Sequence, residues 1–342
     1  MPSSDTIQPI RFIKSFLAFA LTLWAVGALF YDFPWPALRI PLALIYAVVM
    51  IGLIVRHSTR YSFISFVIVL AAWLQIEPSN DHPWQPDVAQ TAWTTTDGGK
   101  ITLHNFRNCK YRSEFDYTPR WETRTIDLSK ITGIDIAITH WGSEWIAHPI
   151  LSFQIEGEPP VAISIETRKE IGESYSALAG FYRQYELIYV VGDERDLIGV
   201  RTNYRTAEDV YLFRTRTSPA RAQAIFVDYL KRLNLLREQP EFYNALTSNC
   251  TSNIRLHTRA SLTMGKTPAP WDWRLLATGY LAQMLYEHDS LDQSVPFDTL
   301  KTQSHINPIA RKIGDASDFS FQIREGIRMH PALNMADSPT RP

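Results

Sequence analysis

The chain contains two cysteines, Cys109 and Cys250, and each is a candidate for redox, metal-binding or nucleophilic chemistry. Neither belongs to a CxxC pair, so the sequence does not support a zinc site or a thioredoxin-like redox site. The two could form one disulfide, remain two free thiols, or be one catalytic thiol and one incidental thiol. Cys250 precedes Ile254–Leu262, a segment that can be helical. A helix N-terminus stabilises a thiolate through its dipole and free N–H groups, which can also contribute to an oxyanion hole.

A thiol nucleophile needs a base, and His148 is the best candidate. It is predicted to lie at the start of a strand. The next strand ends with Ser164 and Glu166, either of which could orient the imidazole as the third member of a triad. The alternative is structural, because a lone cysteine is usually a small buried hydrophobe and a lone histidine usually satisfies a local hydrogen bond. Spacing alone does not decide between them.

Polar residues near these positions also allow two interpretations. Asn249 either caps the predicted helix or donates to an oxyanion, and Tyr243 and Asn244 either shape a pocket or simply pack. The charged residues around Glu166 either line the site or form a solvated, ion-paired surface of little energetic weight. The surface interpretation is favoured for these charges, although Arg168 is also kept as a candidate for substrate binding. The charged residues in question are Arg168, Lys169, Asp193, Arg195 and Arg201.

Hydrophobic periodicity predicts the elements that would position these residues. Strand-like runs alternate with turn signals, and Glu156–Pro160 has the composition of a hairpin connection. Ser218–Leu236 has apolar residues at helical spacing, and Trp271–Tyr286 is a further helix candidate. This mixture predicts an α+β domain. The predicted strands are Ile101–Phe106, Ile134–Thr139, Ile150–Ile155, Val161–Ile165, Glu186–Val191 and Val210–Arg214.

Three hydrophobic segments precede this domain: Phe12–Tyr31, Trp35–Val55 and Tyr61–Ile76. About 20 apolar residues are needed to cross a bilayer, so we predict three transmembrane helices, the third one short. A buried helical hairpin is the alternative. The first segment alone could be a signal peptide, but two further segments directly behind it argue against cleavage.

Short-loop charges predict the orientation of these helices. Arg11 and Lys14 lie at the N-terminus and Arg56–Arg60 joins the second and third segments, whereas the loop near Asp32–Arg39 has a single arginine. The positive-inside rule therefore predicts a multi-pass membrane protein with a cytoplasmic N-terminus. Everything after Glu77 then lies on the far side of the membrane, which in a Gram-negative cell is the periplasmic side of the inner membrane. The expected organisation is an anchor at 1–77, a linker at 78–99, an exported domain at 100–330 and a disordered tail at 331–342.

Composition narrows the function classes. The exported part is mildly acidic and its basic residues are interleaved with acids, so nucleic acid is not an expected partner. The sequence contains no HExxH, P-loop or well-placed GxGxxG motif, so neither a metal nor a nucleotide cofactor is expected.

Several sequence blocks resemble the family of the N-terminal periplasmic domain of Lnb, a lipoprotein N-acyltransferase. Together the blocks cover most of the stretch from Asn105 to Arg324. They are NFRNCKYRSEFDYTPRWETR (Asn105–Arg124), AHPILSF (Ala147–Phe153), SIETRKEIGESYS (Ser164–Ser176), YELIYVVGDERDLIGVRT (Tyr185–Thr202), PEFYNALTSNCTSNI (Pro240–Ile254) and DFSFQIR (Asp318–Arg324).

The order of the histidine, the polar strand residue and the Asn-Cys pair also resembles the permuted papain-like enzymes of the NlpC/P60 and lecithin:retinol acyltransferase group. That resemblance implies a papain-like α+β fold, with Cys250 as nucleophile and His148 as base. The third position stays open between Ser164 and Glu166, and no required thiol is expected at Cys109.

These resemblances imply a membrane-anchored cysteine acyltransferase that acts on phospholipid or lipoprotein substrates through a Cys250 thioester. Membrane anchorage would raise the effective concentration of lipid near the site. Two alternatives remain: a cysteine peptidase or amidase of the cell envelope, which would use the same pair of residues, and a non-enzymatic envelope scaffold.

Overall fold

The computed structural model describes residues 4–260 and 271–327, and the chain divides into two compact units. The first unit comprises Met1–Asp81, Glu173–Glu186 and Glu241–Ala245. The second comprises His82–Gly172, Leu187–Pro240 and Leu246–Pro342. The tail expected at 331–342 lies outside the described residues.

Three helices form most of the first unit: α1 (Ser4–Asp32), α2 (Pro36–Val55) and α3 (Thr59–Trp73). Within them, Ile10–Asp32 and Pro36–Val55 are long and apolar enough to cross a membrane. The third helix has 15 residues, which is short of the about 20 that a bilayer requires. Two of the three predicted segments are thus apolar helices of sufficient length to span a membrane, and α3 is a shorter apolar helix.

A mixed sheet forms the centre of the second unit, and the predicted α+β class is confirmed. The strands of its main path follow the order β1-β2-β9-β8-β7-β6-β10, and β5 also pairs with β2. A separate two-stranded sheet consists of β3 and β4. The strands are β1 (Trp93–Asp97), β2 (Lys100–Arg107), β3 (Lys110–Tyr111), β4 (Tyr117–Thr118), β5 (Trp121–Asp127), β6 (Ile131–Trp141), β7 (Ser143–Ile155), β8 (Glu158–Arg168), β9 (Glu186–Gly192) and β10 (Glu208–Arg214).

Helices follow or interrupt this sheet. The longest is α5, and a single π-helical turn, Val200–Tyr204, lies between β9 and β10. The helices are α4 (Glu194–Leu197), α5 (Pro219–Glu238), α6 (Cys250–Ala260), α7 (Leu281–Glu287), α8 (Phe297–Gln303), α9 (Asn307–Ile313) and α10 (Phe319–Gln322).

Both faces of the sheet are covered by packed side chains. Phe153 on β7 packs edge-on against Phe226 of α5, with ring centroids 4.8 Å apart. Ile150 is three residues earlier on the same strand and therefore points to the opposite face. There it joins a buried cluster that includes Ala310 of α9 and Phe319 of α10. Covered faces explain why the central strands are nearly continuous apolar runs rather than alternating ones.

Three sequence predictions need correction. The segment 78–99 is not purely a linker, because Trp93–Asp97 is a sheet strand that pairs with β2. Trp271–Tyr286 is not one helix but two 3₁₀ turns followed by α7. His148 lies in the middle of β7 rather than at the start of a strand, because the β6–β7 pairing extends to Ser143.

Candidate active site

Strand register brings three of the predicted site residues together. In the antiparallel pair of β7 and β8, Ile150 lies opposite Ser164. His148 precedes Ile150 by two residues and Glu166 follows Ser164 by two, so all of them point to the same side of the sheet. His148 and Ser164 are buried, with 7% and 0% of their surface exposed.

A hydrogen-bond chain joins these side chains and fixes their proton positions. His148 Nε2 lies 2.7 Å from Ser164 Oγ, and Ser164 Oγ donates to Glu166 Oε1 at 2.6 Å. Because a carboxylate can only accept, the one serine proton goes to Glu166 and the serine oxygen accepts from His148 Nε2–H. The other ring nitrogen, Nδ1, is thereby left to exchange a proton with a thiol.

Cys250 is the first residue of α6, so this helix begins four residues before the predicted segment Ile254–Leu262. The helix packs against β7 and β8. Asn249 caps this helix: its Oδ1 accepts from Ser252 N at 2.8 Å, and Ser252 Oγ accepts from Asn249 N at 2.9 Å. This reciprocal pair is a capping box. These hydrogen bonds agree with the interpretation of Asn249 as the helix cap.

His257 holds α6 against the rest of the second unit. Its Nδ1 lies 2.7 Å from Asp228 Oδ2 and its Nε2 lies 2.8 Å from the Tyr189 hydroxyl. It follows Cys250 by seven residues, or about two helical turns, so both residues lie on the same side of α6. This histidine was not singled out in the sequence, because Asp228 and Tyr189 become its neighbours only in the folded chain.

The thiol of Cys250 meets the imidazole of His148. Burial lowers the pKa of His148, but the Glu166 carboxylate and a side-chain hydrogen bond with Cys250 outweigh burial and raise this pKa to about 9. The imidazole therefore holds a proton at neutral pH. The contact places a proton-exchanging group beside the sulfur, which a thiol nucleophile requires.

Arg201 completes the charged part of the site. Its Nη2 lies 2.9 Å from Glu166 Oε1, and its Nη1 lies 3.2 Å from Glu208 Oε2. Burial raises the pKa of Glu166, but His148 and Arg201 outweigh it and hold this pKa well below its usual range. Arg201 is ion-paired, as the favoured interpretation allowed, but it is buried rather than on a solvated surface, since only 7% of its surface is exposed.

Tyr229 of α5 lies in the segment Ser218–Leu236, for which the apolar spacing predicted only a helix. It is fully buried, and among the described residues its hydroxyl has no hydrogen-bond partner. Burial raises the pKa of Tyr229, and Tyr189 and Cys250 raise it further. The last effect puts the phenol within electrostatic reach of the candidate nucleophile, as an unused donor.

The other predicted binding residues have different surroundings. Arg168 is 2% exposed; its Nε donates to Val88 O at 3.0 Å, and its guanidinium lies 4.2 Å from the Trp84 ring centroid. This buried structural role replaces the expected substrate contact. Tyr243 and Asn244 belong to the first unit, where Tyr243 N donates to Tyr185 O at 2.9 Å.

Cys109 and Cys250 are both free thiols, so the disulfide alternative is not realised. Burial, with Asp196 nearby, raises the pKa of Cys109 to about 12, and its backbone N–H donates to Asp196 at 2.7 Å. Cys109 is thus a buried thiol that stays protonated at neutral pH. In residues 4–260 and 271–327 no group of three or more His, Cys, Asp or Glu side chains could hold a metal.

The second unit is thus a mixed α+β domain that brings a buried cysteine, a buried histidine and a partly buried carboxylate into one constellation. Residues 117–279 match the model of the family described as the Lnb N-terminal periplasmic domain. The family resemblance is thereby confirmed over a segment that contains all three residues. No curated protein and no solved structure matches the chain, and the resemblance to permuted NlpC/P60-type enzymes stays a prediction.

Proposed function

We propose that the protein is an envelope cysteine acyltransferase, anchored in the inner membrane with its second unit in the periplasm. The observation that carries this proposal is the continuous contact from Cys250 through His148 and Ser164 to Glu166. A nucleophile, a base and an orienting carboxylate in that order are what acyl transfer through a covalent intermediate requires. The two apolar helices of the first unit support a lipid or lipoprotein as substrate.

The first step is acylation of Cys250. Its sulfur attacks the ester carbonyl carbon of a phospholipid, so an S–C bond forms and the ester C–O bond breaks. The alcohol leaves as a lysophospholipid and takes its proton from His148, which received it from the thiol. Glu166, Ser164 and Arg201 hold the imidazole in the orientation that both proton transfers need.

The second step transfers the acyl group to an amine, for which an N-terminal lipoprotein amine is the proposed acceptor. The amine nitrogen attacks the thioester carbon, the N–C bond forms and the C–S bond breaks. His148 takes the proton from the amine and returns it to the sulfur. The thiol of Cys250 is thereby regenerated, and the acylated amine is released.

The test is release of lysophospholipid from vesicles that contain the full-length protein and a lipopeptide with a free amino terminus. Wild type should release lysophospholipid and acylate the peptide in equal amounts, whereas Cys250→Ser should do neither. Cys109→Ser is the matched control and should retain both activities, because Cys109 is a buried residue whose backbone contacts Asp196 and has no part in the proposed chemistry. Release of peptides from peptidoglycan with no acyl transfer would instead identify a peptidase or amidase, and full function of Cys250→Ser would identify a scaffold.

A further inference from the structure

A short stretch of the first unit exposes three large apolar or aromatic side chains close together in the chain. Residues 175–182, which we call the interfacial segment, include a 3₁₀ turn at Ala179–Phe181. Within it, the exposed fractions are 65% for Leu178, 47% for Tyr175 and 37% for Phe181. Contiguous exposed apolar side chains of this kind mark a binding surface for protein or lipid.

Arg183 fastens the end of this segment to the ends of two anchor helices. Its backbone N–H donates to Asp32 Oδ2 at 3.1 Å, and the same oxygen accepts from Trp73 Nε1 at 2.6 Å. Its guanidinium lies 4.3 Å from the Trp73 ring centroid and donates to the carbonyl of Leu74 at 3.3 Å. The position of the segment along α1 and α3 is therefore fixed rather than variable.

Tyr182 shows how deep along α1 the segment reaches. Its ring stacks on Tyr31 with centroids 5.2 Å apart and lies 6.0 Å from the centroid of Trp24. A Cβ at Gly27 would lie 1.9 Å from the Tyr182 hydroxyl oxygen, so the glycine makes room for this phenol. Trp24 and Gly27 precede Asp32 by eight and five residues, which is about 12 and 8 Å along the helix axis.

The depth of Tyr182 can be compared with the thickness of a bilayer. The apolar part of α1, Ile10–Asp32, has 23 residues and is about 34 Å long, slightly more than the about 30 Å hydrocarbon core. The polar interface adds only about 5–8 Å on each side. A residue that packs about 8–12 Å back from the end of such a helix therefore lies at or below the boundary between headgroups and acyl chains.

We propose that the interfacial segment inserts into the outer leaflet of the bilayer that α1 and α2 cross, with Leu178 and Phe181 in contact with acyl chains. Tyrosine is enriched at this depth, where its ring is apolar and its hydroxyl stays hydrated, and this fits Tyr175 and Tyr182. The inference rests on the membrane anchorage in the proposed function. It does not depend on the chemistry of Cys250.

The experiment places a fluorescent nitrobenzoxadiazole label at Leu178→Cys in full-length protein carrying Cys250→Ser. The remaining thiol, Cys109, is only 6% exposed, and burial raises its pKa to about 12, so it should not react. The protein is reconstituted into phosphatidylethanolamine–phosphatidylglycerol nanodiscs with or without lipids that carry a doxyl quencher near the top of the acyl chain. Asp81→Cys, an exposed linker position of the same unit, is the matched water-exposed control.

The label at 178 should emit at shorter wavelength than the label at 81 and should lose at least twofold more intensity to the doxyl lipids. Equal emission and equal quenching at the two positions would overturn the proposal. A shorter-wavelength emission at 178 without quenching would also overturn it, because a protein partner rather than lipid would then cover the segment. Alkaline extraction of membranes tests the anchorage separately, so failure of the anchor and failure of the insertion give different results.

Discussion

Ser164 Oγ lies between His148 Nε2 and Glu166 Oε1, 2.7 Å from the nitrogen and 2.6 Å from the carboxylate oxygen. Nε2 is also 3.1 Å from the same carboxylate oxygen. The third position of the constellation, which sequence analysis left open between Ser164 and Glu166, is thus shared by both side chains. Glu166 supplies the negative charge, and the Ser164 hydroxyl links that carboxylate to the imidazole by two hydrogen bonds.

Ser164→Ala should therefore impair the protein only moderately. Without the hydroxyl, His148 Nε2–H can still donate directly to Glu166, so thioester formation should slow by about tenfold, or about 1.4 kcal/mol in activation free energy. Glu166→Gln should slow the same step by at least 10²-fold, within the range of general acid–base contributions. Rapid-quench mass spectrometry measures both rates, and a Ser164→Ala effect larger than that of Glu166→Gln would contradict this division of roles.

The raised pKa of His148 makes stability depend on pH. Because the pKa is about 9 in the folded protein and about 6.5 in an unfolded chain, the folded state binds the proton more tightly. The resulting stabilisation is fully present below about pH 6.5 and is lost as pH rises through about 9. Thermal unfolding in detergent between pH 6 and 10 should show this decline in wild type, and His148→Gln should show less of it. Identical pH slopes for the two proteins would exclude a proton held by His148.

Tyr229→Phe should separate catalysis from stability. The Tyr229 hydroxyl is buried without a partner among the described residues, so its removal should leave the melting temperature unchanged or raise it. If the phenol donates to the oxyanion during acylation, the variant should lose about 10- to 10³-fold in acylation rate. An unchanged rate would leave Tyr229 as a packing residue, and Phe226→Leu, also on α5, serves as a control for altered packing.

Asn249→Ala should act through the capping box of α6. Loss of the bond from Ser252 N to Asn249 Oδ1 should lower the free energy of unfolding by about 1 kcal/mol. Asn249→Asp keeps the oxygen acceptor and adds a charge that is favourable at a helix N-terminus, so it should restore the stability lost in Asn249→Ala. Chemical denaturation compares the three proteins, and equal instability of both variants would mean that the amide nitrogen rather than the oxygen matters.

The sequence predicts the local elements of the site better than its long-range partners. The strand around His148, a helix close behind Cys250 and the i, i+2 relation of Ser164 and Glu166 are local patterns, and the structure contains all of them. The extra length of β7, which moves His148 to mid-strand, depends on pairing with β6 and has no local signal.

Arg201 and Tyr229 show why the rest could not be predicted. Arg201 lies on a π-helical turn and contacts Glu166, which is 35 residues away in the chain. Arg168 is also buried but has a structural role, so residue type alone does not identify the arginine of the site. Tyr229 sits in a helix whose apolar spacing already explains its burial. In both cases the chemical role depends on which neighbours the sheet brings close, and a single sequence does not record that.

Intact-mass analysis of detergent-purified protein after incubation with phospholipid tests the central claim most directly. Wild type, quenched rapidly with acid, should gain a fatty-acyl mass that hydroxylamine removes. Cys250→Ser should gain no hydroxylamine-labile mass, and Cys109→Ser should behave as wild type. A labile acyl adduct that persists in Cys250→Ser, or that disappears in Cys109→Ser instead, would contradict Cys250 as the nucleophile.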